Sequence, residues 1–238
     1  MEFPTNHWLC KSFTELKLSS AGLQPAWILA CSAMLLFSVF AHAELKDISR
    51  IFHQTPSLQQ FEVCQGGGCV QSNQLSMSPA EWSTVAQVFK NKAANAAEER
   101  VKMSQAIGEL EKIIGAKNGT TTDRAGTFDN DEFSGQMDCN DEAINTTTYL
   151  RLLKINDLVR FHAIEDMRTR NFFFTGWPHT TAVIHEIKTG ARFAVDSWFY
   201  DNGHTATIVP FEQWKANYQP ADSPIGKTRT YSQEATKH

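Results

Sequence analysis

Cys139, His179 and Asp196 are the residues whose types and order could do chemistry in this chain. Cys139 stands in the run Gly135-Gln136-Met137-Asp138-Cys139-Asn140-Asp141-Glu142-Ala143 and opens a segment with helical apolar spacing. A thiol at a helix start lies in the field of the first-turn N–H groups, which favours thiolate over thiol. His179 begins an apolar strand-like run and Asp196 closes the next one. A histidine can pair with the thiolate, and a carboxylate can hold the ring in one orientation. The chemistry is acyl transfer: Cys139 attacks an amide carbonyl, His179 protonates the leaving amine and then activates water. The Cys139 backbone N–H is the natural oxyanion donor, and Gln136 in the preceding loop is the candidate for a second. Water as acceptor makes a hydrolase, and an amine makes a transamidase.

Cysteine counting reaches the same residue by another route. Ala26 to Ala43 is an uncharged apolar stretch ending in Ala41-His42-Ala43, the pattern of a secretory signal cleaved after Ala43. The rival is an uncleaved anchor, since about 18 apolar residues reach the lower limit for crossing a bilayer. Export to a periplasmic or extracellular compartment makes disulfides permissible. Of the three cysteines after Ala43, Cys64 and Cys69 bracket Gln-Gly-Gly-Gly and are expected to pair. A metal there would need further ligands nearby. Cys139 is then left as a reactive thiol or an intermolecular bridge. The chain has 22 Lys and Arg against 26 Asp and Glu, with no basic run, which speaks against nucleic acid and against electrostatic membrane docking.

The elements that must position these residues follow from periodicity. Residues 44–77 read as an irregular N-terminal arm carrying the glycine loop. Ser78-Pro79-Ala80-Glu81 starts a helix. Its apolar stripe runs from Trp82 to Ile114, with a break near Asn95 and an end at Gly115. Residues 117–135 are a loop, and a second helix runs from Cys139 to about Val159. Phe172-Phe173-Phe174 suits a buried strand. Thr180–Ile187 and Arg192–Phe199 read as a hairpin around Lys188-Thr189-Gly190. A short amphipathic piece surrounds Phe211 and Trp214, and residues 221–238 form a polar tail. Residues 78–220 therefore make one α+β domain, with the cysteine helix packed on an antiparallel sheet.

The hairpin tests the histidine. With Thr189 at its turn, Asp196 lies opposite Ala182, and a register shift of a residue or two brings His179 and Asp196 to one end of the sheet. His185 falls nearer the turn, opposite about Phe193 and next to Glu186, an ordinary surface position.

The run Asp-Cys-x-Asp-x-Ala at Asp138 to Ala143, a histidine before an Ala-Val-Ile run, and Val195-Asp196 together resemble the bacterial transglutaminase-like cysteine proteinases. The resemblance covers about Gly135 to Asp201 and implies a papain-like fold with Cys139, His179 and Asp196 as the triad. It also implies an exported protease with a protein or peptide substrate in the cell envelope. In that family, acidic residues flanking the cysteine hold calcium, which maps to Asp138, Asn140 and Asp141. Calcium would offset the repulsion of two carboxylates beside a thiolate, and no other cofactor is expected. The chain departs from the pattern at Asn140, where the family has an acid, and at Thr180-Thr181, which intervene before Ala182. These departures mark a divergent branch, so the adhesin substrates of the family are not carried over. A different class remains open: a non-catalytic envelope protein binding peptide or glycan on a wall of Trp177, Trp198, Phe199, Tyr200 and Trp214.

Overall fold

A computed structural model describes residues 54–128, 135–171 and 178–225. The chain divides into two units, Met1–Ala43 and Glu44–His238, and every described residue belongs to the second. The apolar leader with Ala41-His42-Ala43, the Phe172-Phe173-Phe174 run, Trp177 and the tail beyond Ile225 lie outside the described residues. Among the described residues, no helix is long and apolar enough to cross a membrane.

The N-terminal arm is more regular than its sequence suggests. β1 (Phe61–Gln65) and β2 (Gln71–Leu75) pair antiparallel, with the glycine loop as their connection. β1 buries Phe61, Val63 and Cys64. β2 is Gln-Ser-Asn-Gln-Leu and mostly exposed, so it carries no apolar alternation to betray it.

Two helices follow. α1 (Pro79–Gln87) starts in a reciprocal capping box between Ser78 and Glu81. α2 (Ala96–Asn118) starts where Asn95 accepts from the Glu98 N–H, so the break expected near Asn95 is a true helix boundary. α2 buries Met103, Ala106, Ile107, Leu110 and Ile114, a stripe at three- and four-residue spacing. It runs past Gly115 and stops at Gly119, whose φ of +82° turns its N–H onto the Gly115 carbonyl.

α3 (Cys139–Ile155) is the central element, packed against both β1 and the larger sheet. Ile144, Leu150, Leu152 and Leu153 are fully buried, so truncating any one to Ala costs about 2–5 kcal/mol. It ends before Val159 because the Asn156 side-chain amide donates to the Leu152 carbonyl at 2.8 Å and Asp157 turns the chain with φ +60°.

The larger sheet is antiparallel in the order β3-β4-β5-β6, built from β3 (His162–Arg170), β4 (His179–Glu186), β5 (Arg192–Asp196) and β6 (Thr207–Pro210). The β4–β5 hairpin pairs Ala182 with Val195 and His185 with Arg192, one residue from the expected register. α4 (Phe211–Lys215) packs on β5 and β6. The architecture is α+β with antiparallel sheets.

Candidate active site

Cys139 is the first residue of α3, and Asp138 is the cap. Asp138 Oδ1 accepts from the Asn140 and Asp141 N–H groups, each at 2.9 Å, and Asp141 Oδ2 accepts from the Asp138 N–H at 3.3 Å. The glycine loop completes this arrangement from the far end of the chain. Gly67 and Cys69 donate backbone N–H groups to Asp141 at 2.7 Å, and Gly68 donates to Asp138 at 2.9 Å. Residues Gly66 to Cys69 all have positive φ, which three glycines tolerate and which turns their N–H groups into a concave cradle for carboxylates. The expected Cys64–Cys69 disulfide closes that cradle, and Asn145 of α3 holds the Cys64 backbone through both its N–H and its carbonyl. Cys139 is the free cysteine among the described residues.

Its thiol is not poised as a resting thiolate. Burial pushes it up to about 12, and the charges of Asp138 and Asp196 act in the same direction. The helix-start field favoured by the sequence argument is outweighed, because Cys139 is 7% exposed and the Asp138 and Asp196 carboxylates raise it further. The backbone N–H joining His179 to Thr180 donates to the sulfur and partly offsets this.

The structure brings His179 and Asp196 together: His179 Nε2 lies 2.7 Å from Asp196 Oδ2, and both side chains are buried. His179 Nδ1 has no hydrogen-bond partner among the described residues. Trp198, Phe199 and Trp214 surround the imidazole with ring centroids 4.6, 5.5 and 5.8 Å away. Trp214 also donates its indole N–H to Asp196 Oδ2 at 2.8 Å, a contact that no sequence signal announced. His185 is elsewhere, half exposed and bonded to Glu165 at 3.0 Å.

A set of buried acids lies behind Cys139. Glu142, one turn along α3, accepts from the Ser197 hydroxyl, and Ser197 also meets Thr146 at 3.0 Å. Ser197 follows Asp196, so these bonds tie the end of β5 to the cysteine helix. Asp123 accepts from the Met137 N–H at 2.6 Å and shares a hydrogen bond with Glu142. Glu111 accepts from the Gly203 N–H at 2.9 Å. Burial first, and then their mutual repulsion, raises Asp123 to about 10 and holds Glu111 well above the ordinary carboxylate range. Burial also raises Glu142 to about 7. Sequence reading missed all three acids because their separations conceal that they meet.

Two sequence-predicted positions are engaged in other bonds. Gln136 bonds the loop before it: its Oε1 accepts from the Arg124 N–H and Thr127 Oγ1, and its Nε2 donates to the Thr122 carbonyl at 2.9 Å. It braces the 122–127 loop. Asp138, Asn140 and Asp141 do not fit a calcium ion. Every carboxylate oxygen of the two aspartates already accepts an N–H, and Asn140 Nδ2 itself donates to Asp138 at 3.2 Å. A cation would meet the positive ends of those donors. Among the described residues, the side chains close enough to share a metal are Cys64, Cys69 and Asp141, and the disulfide uses two of these.

Comparison with known proteins found no matching family model, no matching curated protein and no matching solved structure.

Proposed function

We propose that the chain is an exported thiol hydrolase of the papain-like, transglutaminase type, acting on a peptide or isopeptide bond through a thioester. The observations that carry this reading are the 2.7 Å contact of His179 Nε2 with Asp196, which leaves Nδ1 unpartnered, and the Thr180 backbone N–H, next to His179, that meets the sulfur of the helix-start Cys139. Three of the aromatic residues that a binding wall would need, Trp198, Phe199 and Trp214, are packed inside, which favours the enzyme over a binding module.

The raised thiol dictates the order of events. At rest, sulfur keeps its proton, so attack and proton transfer are coupled. His179 Nδ1 takes the Cys139 proton as the sulfur bonds to the carbonyl carbon. The Cys139 N–H lies at the helix start, where the developing oxyanion is favoured. Collapse breaks the C–N bond, and the imidazolium returns the proton to the leaving amine. Water, deprotonated by His179, then displaces the sulfur, giving a carboxylic acid and restoring the thiol. Asp196 holds the ring through both steps. An amine in place of water makes the same site a transamidase. No step uses calcium.

The test is iodoacetamide at neutral pH without reductant, read by peptide mass spectrometry. Modification of Cys139 that depends on His179, with Cys64 and Cys69 still linked, is the expected result. Cys139 found in a disulfide within the monomer would overturn the reading.

A further inference from the structure

We propose that Trp214 is a positioning residue for His179, acting through Asp196: its indole N–H fixes the carboxylate oxygen that selects the imidazole tautomer. This rests on the reading of Cys139, His179 and Asp196 as a thiol-hydrolase site. Asp196 Oδ2 meets two groups, His179 Nε2 at 2.7 Å and Trp214 Nε1 at 2.8 Å. An indole nitrogen only donates, and an ionised carboxylate only accepts. The imidazole nitrogen against that oxygen must therefore carry the proton, which leaves Nδ1 as the base. Without Trp214, Asp196 would keep the histidine contact but lose the second anchor that stops it rotating.

Trp214 is itself held from the histidine's own strand pair. Arg170 on β3 is the cross-strand partner of His179. Its guanidinium lies 4.8 Å from the Trp214 ring and donates from Nη1 to the Trp214 and Tyr218 carbonyls. Phe211 also stacks on Trp214, with ring centroids 5.6 Å apart. The Trp214 side chain is fully buried, so water cannot replace its N–H at Asp196. Among the described residues, Arg170, Cys139 and Glu142 interact electrostatically with Asp196. Arg170 alone among these is a cation, and it also favours the Cys139 thiolate. The contacts close a ring: β4 to β3 through pairing, β3 to α4 through Arg170, α4 to β5 through Trp214, and β5 back to β4 through His179.

Trp214→Phe removes the N–H and keeps an aromatic ring. Alkylation of Cys139 by iodoacetamide is followed across pH, with a thermal melt as the folding control. The rate near pH 7 is expected to fall about tenfold, while the rate in strong alkali, where hydroxide removes the thiol proton without His179, holds or rises. A merely structural role would expose the thiol and raise the rate at every pH. Nitrogen-15 NMR of the His179 ring should report the Nε2–H tautomer in the wild type and a mixture in Trp214→Phe. A wild type that reacts readily, with a Trp214→Phe variant unchanged in rate profile and tautomer, overturns this inference and leaves the hydrolase reading intact. A Trp214-dependent tautomer beside an unreactive thiol supports the positioning role and rejects the hydrolase. If Trp214→Phe does not fold, the wild-type indole proton decides. It should resonate downfield and move in Asp196→Asn, and an unmoved resonance overturns the proposal.

Discussion

At the scale of single residues, the proposed chemistry rests on one imidazole with two different nitrogens. Nε2 is committed to Asp196 and Nδ1 is not, so His179→Ala should slow Cys139 alkylation at neutral pH by about 100-fold or more, the range of general-base contributions. His185→Ala should leave it unchanged, because His185 answers to Glu165. Asp196→Ala should cost less than His179→Ala, since it orients the base and does not react. Comparable slowing by His185→Ala would contradict this assignment. The contact of His179 with Asp196 and the place of Cys139 at a helix start were legible in the sequence, because residue type, order and the hairpin pointed to them. Trp214 was not, because the value of an indole N–H depends on which carboxylate lies across the fold. Gln136 shows the same limit: proximity in sequence to Cys139 did not specify where its amide points.

Among the elements, the glycine loop between β1 and β2 has the most to do with the cysteine. Its three N–H groups bond the two carboxylates that bracket Cys139, so a loop about 70 residues away sets the start of α3. Replacing Cys64 and Cys69 together by Ser should lower the melting temperature and slow alkylation of Cys139, because the cradle loosens and leaves Asp138 and Asp141 facing the sulfur. An unchanged melting temperature and rate would show that the loop holds without its bridge. Asp138→Ala should cost about 1–2 kcal/mol in chemical denaturation, as the loss of a cap does. The helices and the β4–β5 hairpin were legible from caps, periodicity and a turn signal. β3 was not, because His-Ala-Ile-Glu-Asp-Met-Arg-Thr-Arg carries charges for ion pairing with Arg151 and Arg192 and no apolar alternation. β6 was too short to register.

For the whole molecule, the buried acids predict an unusual dependence of stability on pH. Glu142 and Asp141 are raised to about 7 and Asp123 to about 10, each chiefly by burial, so the fold binds protons that the unfolded chain releases. Their stabilising contribution is complete below the ordinary carboxylate range and is lost as pH rises through about 7 toward about 10. Glu81, lowered to about 2 chiefly by its bond to Lys117, acts in the opposite direction, but at the surface, where screening weakens it. The melting temperature should therefore be higher at mildly acidic pH than at pH 9, and a melting temperature that rises across that interval would contradict the acid cluster. The central claim, that Cys139 is a nucleophile served by His179, is tested most directly by acylation with a p-nitrophenyl ester, followed by nitrophenol release and intact mass. The account predicts an acyl adduct on Cys139 that turns over in the wild type, persists in His179→Ala and never forms in Cys139→Ala. Turnover that survives Cys139→Ala, or an adduct mapped to another residue, would contradict it.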